Sequence, residues 1–160
     1  MKKSTRTNFL LAVSAFLIAT AAMVFVSREP TEPLTTGALA AATQRWRAAS
    51  VSNYRMRFDM HGSIYDVEVR RGIVESTTVD GNPSRSADPG AYSVEGLFET
   101  LGLDLENRSD PRGPFAGRAK TMAMRVRFNE QLGYVERYLR SSGGMGRGAS
   151  IVMLEFERLE

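Results

Sequence analysis

The chain has 160 residues, enough for one domain and an appendage, and a net charge of +3 at pH 7. Lys2, Lys3 and Arg6 carry that excess: 21 Lys+Arg less these three leaves 18, equal to the 18 Asp+Glu, so the body is neutral and offers no basic surface for nucleic acid. With no cysteine and one histidine, the chain excludes a disulfide framework, a thiol nucleophile and a lipid-modified Cys, and leaves little for an imidazole or thiolate metal site.

Residues 9–26 form an uncharged run of 18 residues, about 27 Å long as a helix, close to a hydrocarbon core. Lys2, Lys3 and Arg6 precede it, whereas Arg28 follows in the company of Glu29 and Glu32. The positive-inside bias therefore puts residues 1–8 in the cytoplasm and the rest outside the cytoplasmic membrane, as a single-pass signal anchor. The alternative is a cleaved signal peptide, with small residues at Ala19-Thr20-Ala21 and a secreted product. Met23 to Val26 prolong the run beyond a usual signal core, which favours the anchor. Residues 27–37, with Pro30 and Pro33, read as a tether.

From residue 38 to 49, Leu39, Ala42, Trp46 and Ala49 recur at helical spacing. The period then becomes two: Tyr54, Met56, Phe58 and Met60 alternate with Arg55, Arg57, Asp59 and His61, and Tyr65, Val67 and Val69 alternate with Asp66, Glu68 and Arg70. A turn at His61-Gly62 opposes Arg57 with Asp66 and Arg55 with Glu68, whereas a one-residue slip opposes like charges, so charge selects that turn. "RRG" at 70–72 makes the next turn, and residues 73–79 read as a third, more polar strand.

Residues 80–92 read as a loop. Ser93 caps a second helix with Val94, Leu97, Phe98 and Leu101 on one face and Gly102 suited to end it, followed by an irregular stretch from Glu106 to Lys120. Met124, Val126 and Phe128 alternate with Arg125 and Arg127, "NEQLG" turns the chain, and residues 134–140 return. Either face of that return strand carries a charge, Glu136 or Arg137, which suits a strand near an edge. After a Gly-rich connection, Val152, Leu154 and Phe156 alternate with Met153, Glu155 and Glu157.

The order is helix and three strands, twice. It predicts an α+β fold: a transmembrane helix, then residues 38–160 as a two-layer domain with about six antiparallel strands and two helices on one face. "RWRAASVSNYRMRF", "SVEGLFETL" and "VRFNEQLGYVERYLRSS" resemble a family of bacterial extracytoplasmic proteins known as domain of unknown function 6174, over about residues 38–158. Trp46, Asn53, Tyr54, Leu97, Phe98, Gly133 and Tyr134 match its pattern; Val135 stands where the family usually has Pro, and a Cys pair of some members is absent. The resemblance implies a small membrane-tethered or secreted domain and carries no activity.

Trp46, Tyr54, Phe58, Leu97, Phe98, Phe128, Tyr134 and Phe156 read as core. His61 reads as a turn residue, since no nucleophile or orienting acid converges on it beyond Asp59 and Asp66 of the same hairpin. Asp59, Asp66 and Glu68 alternate with arginines as in a solvated ladder, and "GGMGRG" lacks the strand-to-helix context of a phosphate loop. No catalytic, cofactor or metal residue is assigned. Arg125 and Arg127 are a candidate surface contact for an anionic partner, or pair with Glu155 and Glu157. The expected function is a non-catalytic, membrane-anchored interaction module for an envelope protein or lipid. A carrier of an apolar or lipid ligand, with Met56, Met60, Met124 and Met153 lining a void, is the alternative. A carboxylate-based hydrolase stands third.

Overall fold

A computed structural model describes residues 30–118, 120–142 and 148–160, except the side chain of Ser142. The expected membrane segment at 9–26 and nearly all of the Gly-rich connection at 143–147 lie outside the described residues. Among the described residues, no helix is long and apolar enough to cross a membrane.

In chain order the elements are β1 (Glu32–Pro33), α1 (Thr36–Ala49), β2 (Tyr54–Met60), β3 (Ser63–Arg70), β4 (Ile73–Val79), β5 (Asn82–Pro83), a 3-10 turn (Pro89–Tyr92), α2 (Val94–Ser109), β6 (Met122–Phe128), β7 (Val135–Ser142) and β8 (Ala149–Arg158). The strands form one antiparallel sheet ordered β1-β6-β7-β8-β2-β3-β4-β5. The fold is thus α+β with two helices and eight strands, two of which are two-residue edge pairs. Each helix is followed by its own three-strand meander, and the meanders join where β8 pairs with β2.

The β2–β3 register is the one that charge selects: Met60 opposes Ser63, Phe58 opposes Tyr65, Arg57 opposes Asp66 and Arg55 opposes Glu68. Arg55 meets Glu68 at 2.9 Å and Arg57 meets Asp66 at 3.6 Å, both open to solvent on the arginine side. Such pairs choose between registers more than they stabilise the fold. Three hairpin turns use the same device, a positive φ at both central residues: His61 and Gly62 (58° and 88°), Arg71 and Gly72 (52° and 74°), and Asp80 and Gly81 (51° and 78°). These primed turns match the right-handed twist of the strands. Asn tolerates the first position better than His, so His61→Asn should raise stability by about 0.5 kcal/mol. Urea denaturation checks this; a loss instead of a gain would mean that the imidazole is doing something other than turning the chain.

The inward face buries Tyr54, Met56 and Phe58 of β2, Val67 and Val69 of β3, Met122, Met124, Val126 and Phe128 of β6, and Val135, Tyr138 and Ile151 of β7 and β8. Against it pack Ala42 and Trp46 of α1 and Val94, Leu97, Phe98 and Leu101 of α2. Both helices are capped as their sequences allow, with Thr35 Oγ1 accepting from Ala38 N–H and Ser93 Oγ from Gly96 N–H, both at 3.1 Å.

Four local expectations are corrected. The expected tether reaches into the domain: Glu32 and Pro33 pair with Val126 and Arg125, and Leu34 is only 2% exposed, so the compact unit begins at Thr31 rather than residue 38. α2 does not end at Gly102 but continues to Ser109, because Asp104 and Leu105 still find partners on the sheet side. In β7, Phe128 opposes Val135 and Arg127 opposes Arg137, so Glu136 is a bulge and Val135 and Tyr138 both face the core. That bulge, rather than an edge position, resolves the charged-face conflict. In β8, Arg57 opposes Glu155 and Phe58 opposes Met153, so Leu154 is a bulge; Phe156 turns inward and Val152 and Leu154 turn outward.

Candidate functional site

Three groupings of polar and aromatic side chains compete for a role. The first is built on Trp46, which α1 drops onto the ring of Tyr54 at 5.4 Å and that of Phe156 at 5.9 Å, both edge-on. Its Nε1 donates to Glu95 Oε1 at 2.6 Å, and Tyr54 hydroxyl donates to Glu95 Oε2 at 3.4 Å while accepting from Val94 N–H at 3.1 Å. Tyr134 stacks on Phe156 at 4.3 Å. Tyr54 and Trp46 are buried, and Phe156 and Tyr134 are partly buried against the core. Every polar tip here is used by another part of the domain, so the cluster ties α1, the start of α2 and the sheet together.

The second grouping surrounds Asp104, buried in α2 at 6% exposure. It accepts from Tyr138 hydroxyl at 2.6 Å on Oδ2 and from the Arg140 guanidinium on Oδ1. Arg140 also lies 4.8 Å from the ring centroid of Phe115, which pins the loop after α2. This carboxylate is closed by its own partners, and a buried ion pair of this kind is a device of specificity as much as stability.

Burial first, and then the neighbouring carboxylates, push the Tyr54 and Tyr138 phenols well above the ordinary tyrosine range. The folded pKa is raised, so the stability these phenols contribute is complete below about pH 10 and is lost as pH rises beyond it. Thermal melts at stepped alkaline pH should show a falling midpoint above about pH 10, with a shallower fall in Tyr138→Phe. An unchanged slope in that variant would contradict the assignment.

The third grouping is the sheet face turned away from the helices. Both helices, the 3-10 turn through Tyr92, and the Phe115 loop all contact the inward face. Among the described residues, the outward face presents strand side chains alone. One row crosses it from Arg127 on β6 through Arg137, Val152 and Asp59 to Ile64 on β3; beside it lie Arg125, Leu139 and Ser150. Leu154 is 49% exposed, beside Val152 on the same strand. Arg125 and Arg127 are on this face as expected, but neither meets Glu155 or Glu157. Arg125 binds Thr31 through Oγ1 at 2.9 Å and through its carbonyl, and Arg127 meets Glu136 at 2.8 Å. Glu155 and Glu157 lie across from Arg57 and Arg55 instead. This uncovered face is the candidate site.

No family model, curated protein or solved structure matches this chain. The likeness to domain of unknown function 6174 therefore rests on the matched residues alone. Among those, Trp46, Tyr54, Leu97 and Phe98 build the core, Gly133 touches α1, and Asn53 accepts from Arg71 N–H at 2.8 Å at the β3–β4 turn. His61 stands at its hairpin turn, where Asp59 Oδ1 accepts from Gly62 N–H at 3.0 Å. Among the described residues, no three His, Cys, Asp or Glu side chains converge as metal ligands.

Sequence reasoning missed Asp104, Glu95 and Arg137. Asp104 had a readable signal: it lies three residues beyond Leu101, on the apolar stripe of α2. Glu95 had none beyond its place in the helix's first turn, and Arg137 was hidden by the bulge at Glu136.

Proposed function

We propose that this chain is a non-catalytic interaction module held outside the cytoplasmic membrane by residues 9–26, with the uncovered face of its sheet as the binding surface. The observation that carries this reading is the asymmetry of the sheet. One face is packed by both helices, while the other holds Leu139, Val152, Leu154 and Ile64 among unlike charges with no element over them among the described residues. Apolar side chains set among charged ones on a solvent-facing sheet are the composition of a contact surface. The two buried polar clusters support the reading from the other side, because their groups are spent within the fold. The methionines favour it over a ligand carrier: Met56 and Met124 are buried, and Met60 and Met153 pack against the core.

The membrane half of the reading rests on the uncharged run and its flanking Lys/Arg asymmetry. Full-length chain with a C-terminal epitope, expressed in a bacterial host, should resist carbonate extraction from membranes. Protease added to intact spheroplasts should remove the epitope. A soluble mature form beginning near Ala22 would replace the anchor with a cleaved signal, and a protected epitope would reverse the orientation.

A further inference from the structure

The outward face has a charge pattern that complements itself. Among the described residues of its β6–β7 half, Arg125, Arg127 and Arg137 stand with one carboxylate, Glu136, leaving two positive charges in excess. On the half formed by β2, β3 and the end of β8, Asp59, Asp66, Glu68, Glu155 and Glu157 stand with Arg55, Arg57 and Arg70, leaving two negative charges in excess. The dividing line is β8, which carries Val152 and the bulged Leu154. Within the row at Val152, Arg137 lies on one side and Asp59 on the other.

Arg137 is poorly served inside its own chain. It opposes Arg127 across β6–β7, and its Nε is buried without a hydrogen-bond partner. Glu136, the nearest carboxylate in sequence, is engaged by Arg127 at 2.8 Å and by Asn129 at 2.9 Å. Asp59 on the other side makes no ion pair among the described residues; its Oδ1 accepts from the Gly62 amide. Like charges directly opposite in a sheet are destabilising, so an acid brought over Arg137 relieves a cost already present.

We propose that the open face is the interface of a homodimer, two copies packing sheet against sheet about a two-fold axis parallel to β8. A two-fold axis in that direction lays the positive half of each copy over the negative half of the other. It places Val152 and Leu154 against their own counterparts, and Arg137 over the partner copy's acidic row at Asp59. The strands of the two sheets then run within about 30° of each other, the ordinary aligned packing of twisted sheets. Six long strands about 4.8 Å apart and about 23 Å long give on the order of 600 Å² per copy. The pair therefore buries on the order of 1,200 Å², at the threshold of stable interfaces. A membrane surface of one charge sign fits only half of this face, whereas a second copy fits both halves.

The direction of the axis agrees with the start of the domain. Pairing of Glu32 with Val126 and Pro33 with Arg125 puts Thr31 towards the Phe128 end of β6. An axis parallel to the strands keeps that end common to both copies, so Thr31 of each copy stands at the same end of the pair. Anchoring in one membrane requires this, and that clause alone rests on the proposed anchor.

The absence of cysteine makes the test direct, because a residue on a two-fold axis meets its own counterpart. Full-length chain carrying Val152→Cys, mildly oxidised in the host membrane, should give a disulfide-linked product of twice the chain mass on a non-reducing gel. Leu103→Cys on the far side of α2, 57% exposed, should give none. Adding Arg137→Glu should lower the Val152→Cys product about tenfold, since the reversal acts twice in a symmetric pair, and adding Asp59→Arg should restore it. No product at Val152, equal product at Leu103, or a yield indifferent to Arg137→Glu would overturn the dimer. An adduct of another mass at Val152 would overturn it too, while leaving the interaction-module reading in place.

Discussion

Trp46→Ala should cost about 3 to 5 kcal/mol, the usual loss for truncating a buried aromatic. Trp46 is 3% exposed, and its ring is held edge-on by Tyr54 and Phe156 while Nε1 donates to Glu95 at 2.6 Å. Truncation opens a void beneath α1 and removes the hydrogen bond from that helix to Glu95 in the first turn of α2. Trp46→Phe separates the two effects: it keeps an aromatic ring but strips Glu95 of its indole donor, and should cost about 1 to 3 kcal/mol. Equilibrium unfolding in urea measures both. A cost under about 1 kcal/mol for Trp46→Ala would place the indole outside the framework.

The second large loss is expected at Gly133→Ala. Gly133 has a φ of 87°, and a Cβ built there would stand 2.3 Å from the Ala42 carbonyl oxygen, a backbone atom in the middle of α1. Neither the strained φ nor the clash can be relieved by turning a side chain. The conformational cost of about 1 to 2 kcal/mol adds to an overpacking cost of about 1 to 3 kcal/mol. A loss of about 3 kcal/mol is therefore the central expectation, read from the same denaturation curves. Because Gly133 and Trp46 both hold α1 on the sheet, the double variant should lose less than the two losses added. Full additivity would show that the β6–β7 loop and the indole hold the helix independently.

Strand periodicity and turn chemistry were legible because they are local. The β2–β3 register followed from four charges and a two-residue turn, and the apolar stripes of both helices named their buried residues. What escaped were the places where a bulge breaks the period of two. One extra residue at Glu136 lets Val135 and Tyr138 both face the core, and another at Leu154 leaves Phe156 inward as expected while turning Val152 and Leu154 outward, off the face that alternation shares among the three. The edge pair at Glu32–Pro33 escaped for a different reason. Two residues, one of them a proline, have no period, and only the long-range partner strand β6 makes them a strand. The candidate site lay in these blind spots, since two of its central residues reach the open face through the β8 bulge.

The face opposite the helices should be covered when the protein works, and the helix side should stay open. Hydroxyl-radical footprinting of the full-length chain measures this most directly, comparing intact membranes with dilute detergent solution. The predicted result is protection of Leu139, Val152, Leu154 and Ile64 in membranes, with Leu103 labelled equally in both. Equal labelling of Leu154 and Val152 in the two states, or protection centred on Leu103, would contradict it.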